Sequence, residues 1–424
     1  MAETPVLRIV TPEEVPMLEL DPVDPTALIQ AKEIVDDVRK TGEAGLRKHA
    51  LRLGDIPDAT SKYVLDKAEM KAAFDSLPED EQALLLRTRD RIQAFAQCQL
   101  DSVQSMETSI PGGRAGHTLS PMAVAGCYAP GGRYPLPSSV LMTAVTARTA
   151  GVKTVVVASP RPAPVTVAAA HVAGADLLLC IGGAQGIAAL AFGTPCVPAC
   201  DIIVGPGNKW VTAAKSLVQG RCAIDMLAGP SEVLAIADGS ADADVLAADM
   251  LAQAEHDTDA RPILVTPDAA LAHRVNARIA ARLAELPTRD TAAEACKKGF
   301  IVVCPDMDSA IAVSDSIAPE HLEIQTENAQ EVADKCLDYG GLFIGSRAAE
   351  VLGDYGAGPN HVLPTGGTGK YTGGLSVFNF VRIRTWMRID AVGDAQQVVK
   401  DSVQLARLEG LEGHARSAEC RLLQ

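Results

Sequence analysis

From Met122 onward, short β-branched runs bounded by glycine alternate with alanine-rich stretches of helical length, and this alternation constrains the fold more than any other feature. The runs are Val124–Tyr128, Thr154–Ala158, 177–181 and Ile202–Val204. They resume beyond Ser231 with 233–236, 263–265, Phe300–Val303 and 342–344. Strands separated by helices join in parallel, because the crossover helix returns the chain to the same sheet edge. The pattern therefore predicts two tandem Rossmann-like α/β units, each with an incomplete parallel sheet. Residues 25–105 differ: Ile34, Val35 and Val38, then Leu84, Leu85 and Ile92, recur at helical spacing and predict a helical N-terminal segment. The last fifty residues lose the strand pattern. Apolar 377–387 gives way to a charged helical tail, which closes no sheet of its own and is expected to pack on a partner subunit. The expected division is an N-terminal arm at 1–20, a first α/β domain from 21–127 plus 231–375, a second from 128–230, and a tail at 376–424.

Charge and hydropathy narrow the function. Against 38 Lys and Arg stand 53 Asp and Glu, a net charge of −15, with no basic stripe to attract a phosphate backbone; no nucleic-acid partner is expected. Residues 177–200 carry no formal charge and are numerous enough to span a bilayer, yet four glycines and two prolines interrupt them. They read as strand, loop and helix, and no membrane association is expected. The N-terminus carries Glu3 and no unbroken apolar core, unlike a secretory signal, so a cytoplasmic protein is expected, or an organellar one after import processing. The ten cysteines include no C-x-x-C pair and lie mostly in apolar strings, as buried thiols do.

Four glycine clusters fall at strand ends: Pro130-Gly131-Gly132, Gly182-Gly183-Ala184-Gln185, Gly205-Pro206-Gly207-Asn208 and Ala228-Gly229-Pro230-Ser231-Glu232. Backbone bare of side chains at the carboxyl edge of parallel strands lets a phosphate approach the amides, so the series points to a ligand cleft. Neither G-x-G-x-x-G nor a Walker loop is present. Of eight histidines, His49, His117, His171 and His273 have no acidic or metal-like sequence context and read as packing residues. The other four differ. Gln253 and His256, at i, i+3 on a helix, share a face and could share an ion, although a solvated face fits the same pattern. Glu320-His321 follows Pro319 at a loop-to-strand corner, where two adjacent proton carriers could serve successive transfers. Asp354 and His361 share a glycine-rich loop; His414 lies in the tail with Glu409.

These clusters, together with Tyr128-Ala129-Pro130, Pro137-Ser138-Ser139, Ala318-Pro319-Glu320-His321-Leu322 and Gly358-Pro359-Asn360-His361-Val362-Leu363-Pro364-Thr365, occur in an order that resembles the histidinol dehydrogenase family from about Gly126 to His414. The resemblance implies a zinc-dependent homodimer that oxidises L-histidinol to L-histidine through the aldehyde, with two NAD molecules taking the hydrides in a four-electron reaction of histidine biosynthesis. It implies one zinc per subunit, held by Gln253, His256, Asp354 and His414 of the partner subunit, within the first α/β domain. By the same resemblance Ser231, Gln253, His256, His321, Asp354, His361, Glu409 and His414 contact substrate. Tyr128, Gln185 and Asn208 line the NAD site, and Glu320 and His321 are the acid and base. Zinc keeps its oxidation state, so its task would be to orient the substrate through nitrogen and oxygen ligands. His321 would take the hydroxyl proton and Glu320 would activate the water that adds to the aldehyde.

The chain departs from the family's commonest form in three places. Tyr371-Thr372-Gly373-Gly374 leads to Phe380-Val381-Arg382-Ile383-Arg384 where an aromatic residue, serines and a lysine are frequent; Arg133 and Tyr134 replace small residues; and Trp210 replaces a smaller aromatic. Extra cations beside a pocket could accept a sulfonate, so an alternative substrate is 2,3-dihydroxypropane-1-sulfonate, oxidised to sulfolactate. As a solvated tail or a dimer contact, Arg382 and Arg384 would carry no such meaning. An idle nucleotide-binding subunit is the remaining alternative, and retention of every expected zinc and acid-base position argues against it.

Overall fold

The computed structural model describes residues 6–16, 22–131 and 135–423. The expectation concerning Arg133 and Tyr134 lies outside the described residues. The architecture is mixed α/β with two six-stranded sheets and one small antiparallel sheet. One large sheet is split in sequence: Arg8–Val10, Phe300–Val303, Arg261–Thr266, Glu232–Ala237, His321–Gln325 and Gly341–Ile344 lie side by side in that order, every neighbouring pair parallel. The other is inserted between its halves. It runs Val64–Leu65, Leu177–Leu179, Thr154–Ala158, Val124–Tyr128, Ile202–Val204 and Ala223–Ile224, parallel except at Val64–Leu65.

Helices cover both faces of the inserted sheet, so its strands are apolar on both sides: Val155, Val156 and Val157 are all fully buried. Alternate residues of Thr154–Ala158 accordingly belong to two separate apolar cores, Val155 and Val157 to one and Val156 and Ala158 to the other. The helices start where the sequence supplies a short acceptor. Asp24 caps Pro25–Thr41 through the Ala27 N–H (2.6 Å), and Asp268 caps Ala269–Glu285.

Three expectations need correction. Residues 25–101 pack mainly on the inserted sheet and not on 231–375: Pro25–Thr41 packs on Gly183–Phe192 and Lys209–Val218, Lys67–Asp75 on Pro164–Val172, and Glu79–Asp101 on Pro137–Thr149, with Arg91 of that last helix also donating to the Gly356 carbonyl (2.6 Å). Their apolar stripes complete its cores, with Ile34, Val35 and Val38 in one and Leu85 and Ile92 in the other. The boundary expected between 127 and 128 would cut Val124–Tyr128, an interior strand of that sheet. The N-terminal arm is in part a strand, since Arg8–Val10 pairs with 300–302.

Part of the tail also folds otherwise than its composition suggests. Val381–Ile389 is a strand paired antiparallel with Gly113–Pro121, which in turn pairs with Met106–Ile110. Arginines at 382, 384 and 388 obscured it, because the strand is largely exposed and has no apolar face to reveal its period. Beyond it, Gln396–Leu408 and Glu412–Glu419 pack on each other around only Val403, Ala406 and Ala415, leaving Leu405 and Leu408 59% and 84% exposed. No helix of the described residues is long and apolar enough to cross a membrane.

Candidate active site

The split sheet gathers the titratable groups. Helix Met307–Ile317 ends at Ala318, a non-glycine residue in the left-handed region (φ 50°), and the chain then turns through Pro319-Glu320 into strand His321–Gln325. Left-handed backbone at a residue with a Cβ is strained and persists only where its surroundings over-determine it. Here it aims two buried proton carriers. The Glu320 carboxylate accepts from the Glu232 N–H (2.9 Å) on the adjacent strand. Burial pushes the Glu320 carboxyl well above the usual range, with the Glu232 and Asp354 charges adding to it, against hydrogen bonds from the Glu232 N–H and the Ser231 hydroxyl.

His321 Nδ1 lies 2.9 Å from the Glu232 carbonyl, which can only accept, so Nδ1 carries the proton and Nε2 presents a lone pair. That Nε2 is buried without a hydrogen-bond partner, 3.8 Å from Asp354 Oδ1. An unsatisfied buried nitrogen costs about 1–3 kcal/mol, and a cleft that takes a ligand is where such a cost is recovered. Burial holds the imidazole below its ordinary pKa, hence neutral and able to accept a proton, with Asp354 opposing the shift.

Asp354 closes helix Glu350–Asp354, and its carboxylate stands between the two imidazoles, with Oδ2 3.8 Å from His256 Nε2. His256, Glu350 and Asp354 offer ligand atoms that all lie within 4.8 Å of one another. Gln253 belongs to the same corner. Its amide is satisfied when the nitrogen donates to both Glu350 oxygens (2.8 and 3.2 Å), which leaves its oxygen available to an ion. The donor set of imidazole, carboxylate and amide oxygen suits zinc and other borderline divalent cations. His361 Nδ1 donates to the Asp354 carbonyl (3.0 Å), and its Nε2 faces the Ser139 hydroxyl at 3.4 Å. A cavity of ≈ 450 Å³ reaches this corner, lined by His321, Asp354, His361, Phe343 and Arg347 among others.

Behind the corner lies a second acid layer that sequence reasoning missed. Glu323 accepts from the Glu350 N–H (3.0 Å), and the Gln325 amide bridges Glu323 and Asp249 (3.0 and 2.9 Å). Burial and the Asp249 charge push Glu323 up to about 7. A signal for it existed: His321, Glu323 and Gln325 alternate with Leu322 and Ile324, so three polar side chains share one strand face. For Glu350 the sequence carried no signal, since burial of one acid in a short helix has no local signature.

The inserted sheet carries a different cleft, of ≈ 690 Å³, lined by Gln185, Asn208, Gly183 and Trp210 with residues of the first two helices. Two helices begin at it. Asn208 caps Lys209–Val218 by accepting from the Trp210 and Val211 N–H groups, and Gly183–Phe192 opens at Gly183. Tyr128 is buried below the surface, its hydroxyl accepting from the Gly183 N–H (3.1 Å). Gln185 donates to Asp55 (2.8 Å), while its buried Oε1 has no partner. Gly205, at φ 116°, has its backbone so close to Tyr128 that a Cβ would stand 2.0 Å from the Tyr128 carbonyl oxygen. The buried pair Lys215–Asp225 clamps it: Lys215 donates to the Gly205 carbonyl (3.0 Å) and Asp225 accepts from the Gly205 N–H (2.7 Å). The loop between the sheets ties both clefts together through Thr212 to the Ala228 carbonyl (2.9 Å) and the Gly229 N–H to Thr365 (2.5 Å).

Gln253, His256, Glu320, His321, Asp354 and His361 thus converge, with Ser231 beside Glu320. Glu409 and His414 do not: both are exposed tail residues whose side chains make no hydrogen bond or ion pair among the described residues. Arg382 donates to the Pro121 carbonyl, on the small sheet and outside the cavity lining.

Buried acids, a neutral histidine with a free lone pair and a glycine-rich cleft on a second sheet define an enzyme site that moves protons beside a ligand cleft. The sequence profile described as histidinol dehydrogenase matches residues 23–422, and the chain belongs to that family. It is 43% identical over 399 residues to histidinol dehydrogenase of Thermus thermophilus, covering 94% of this chain and 95% of that one. It is 42% identical over 368 residues to sulfopropanediol 3-dehydrogenase of Ruegeria pomeroyi, covering 85% and 84%. The crystal structure of histidinol dehydrogenase from Elizabethkingia anophelis superposes with a TM-score of 0.91 at 28% identity, over 99% of this chain and 98% of that one.

Proposed function

We propose that this chain oxidises L-histidinol to L-histidine in two NAD-linked steps, with zinc at the Gln253, His256 and Asp354 corner. The observation that carries the reading is the unpartnered His321 Nε2, a buried lone pair facing Asp354 inside the cavity. When bound, zinc supplies a fixed positive charge that orients the substrate's oxygen and nitrogen atoms, and NAD supplies the hydride acceptor. His321 Nε2 takes the hydroxyl proton of the alcohol as the carbon-bound hydrogen leaves as hydride. Glu320, whose raised pKa makes its carboxylate a stronger base, takes a proton from the water that adds to the aldehyde carbon. A second hydride loss from the hydrate then gives the acid. Overall one alcohol, one water and two NAD yield one carboxylic acid, two NADH and the released protons.

The partner copy completes the site under this reading. The exposed tail, with Leu405 and Leu408 uncovered, supports a second subunit that receives Glu409 and His414, and the tail in turn closes the aldehyde off from bulk solvent while the one reacting water stays at Glu320. NADH formed per substrate consumed by the zinc-loaded protein tests the proposal. Two NADH per L-histidinol, with L-histidine as product, is expected; absence of turnover sinks it. The sulfonate substrate is the second reading, supported by Arg347 at the cavity and by the sulfopropanediol relative. Turnover of dihydroxypropanesulfonate alone would favour it.

A further inference from the structure

The cleft of the inserted sheet contains a cation that the acid-base chemistry does not use. Arg52, on helix Glu43–Arg52, lines the cleft opposite Gly183, Gln185 and Asn208 and has no carboxylate partner among the described residues. It is nevertheless held. Arg52 Nη2 donates to His49 Nδ1 (3.2 Å), so that nitrogen is the acceptor and the ring proton sits on Nε2, which donates to Asp37 (2.8 Å). His49 is buried, and Lys48 holds the same Asp37 carboxylate at 2.8 Å. An arginine fixed from behind by a buried imidazole keeps most of its guanidinium edge for something in the cleft.

Two further observations suit a ligand that carries an anion and hydroxyl groups together. Helix Gly183–Phe192 starts at this cleft and turns the positive end of its dipole toward it, whereas the first N–H groups of Lys209–Val218 are already taken by the Asn208 side chain. The buried Gln185 Oε1 lines it without a partner and can accept from a hydroxyl or amine of the same ligand, such as a nucleotide's sugar offers. Two carboxylates line the same cleft: Asp55 is already engaged by Gln185 and the Gly182 N–H, and Glu33 lies on the first helix.

We propose that Arg52, positioned by His49 and Asp37, is an anion-binding residue of this cleft and takes the pyrophosphate of a dinucleotide. The inference rests on reading the cleft as the cofactor site. Arg52 then binds while His49 orients, and the pair sets cofactor affinity without touching the proton transfers at the split sheet.

Calorimetric titration of the zinc-loaded protein with ADP-ribose tests it. Arg52→Ala, an exposed position, should melt as the wild type does and bind ADP-ribose about tenfold more weakly. Its affinity should also fall less steeply with added salt. His49→Phe should weaken binding in the same direction by a smaller factor, and kcat at saturating NAD should stay unchanged in both. Equal ADP-ribose affinity in wild type and Arg52→Ala overturns the proposal, as does a loss with an unaltered salt slope. Wild-type protein that binds no ADP-ribose overturns instead the assignment of the cleft to a cofactor. Inorganic pyrophosphate, titrated in parallel, separates a nucleotide site from a free-anion site: Arg52-dependent binding of pyrophosphate without ADP-ribose overturns the nucleotide assignment.

Discussion

At the end of the split sheet the working groups are side chains, with Gln253, His256, Glu320, His321, Glu350 and Asp354 crowded around one corner, most of them buried and each oriented by another. At the inserted sheet, loops bared by glycine and clamped by Lys215 and Asp225 from beneath meet polar side chains from the first two helices, Arg52 among them. Both sheets are parallel but for the Val64–Leu65 edge and both offer strand ends, so the fold does not dictate the difference. A proton must be moved by a side chain with a tuned pKa, whereas a phosphate is held well by amides that every residue possesses. Substitutions should therefore act on the chemical step in the first cleft, and on ligand affinity, through loop geometry and Arg52, in the second.

The largest effect is expected from His321→Asn, which keeps the hydrogen bond toward Glu232 but removes the lone pair at Nε2. NADH formation should fall by about 10²–10⁴ while bound zinc, measured by metal analysis, stays at one per subunit. Loss of zinc along with activity would mean that the corner is one unit and the division between acid-base and metal groups is false. Glu350→Ala comes next. It frees the Gln253 amide to rotate and should weaken zinc binding by about 10–100-fold in chelator competition, whereas Glu350→Gln should lose less.

In the second cleft, Gly205→Ala forces a Cβ onto the Tyr128 carbonyl. Its cost should appear as a raised KM for NAD and a lowered Tm, with kcat little changed; an equal fall in kcat would show that the clefts are not separable. The smallest effect concerns the acid layer. The Glu323 pKa is raised from its ordinary 4.5 to about 7, so the native state holds that proton more tightly than the unfolded chain. Its stabilising contribution is full below about 4.5 and is lost as pH rises toward 7. Zinc-free Glu323→Gln should therefore flatten the pH dependence of denaturant midpoints between those limits, and an unchanged profile would assign the dependence to other groups.

The two clefts were not equally legible in the sequence. Periodicity located eight strands and the glycine clusters at their ends, because β-branched runs and glycine leave local marks. The Glu320-His321 pair was visible at its strand start for the same reason. The helices at 25–101 were recognisable as helices, yet their choice of sheet was not, since an apolar stripe says that a face is covered and not by what. Glu350 and Asp249 were invisible because burial is a tertiary property. Strand Val381–Ile389 was masked by its arginines. His49 looked like a packing residue, and its partner Asp37 lies twelve positions away on another helix, beyond any local pattern.

The split of one sheet around the other carries a consequence for how the chain comes to be folded. Strands 124–224 of the inserted sheet lie close together in sequence, so that sheet can assemble soon after its own residues are made, together with the helices that precede it. Arg8–Val10, made far earlier, has as its only ladder partner among the described residues 300–302, nearly three hundred residues downstream. It must wait as an unpaired edge, and the closing of so long a loop is slow. Pulsed hydrogen exchange during refolding should find amides of 154–158 protected before those of 8–10; simultaneous protection would mean that the two sheets fold as one.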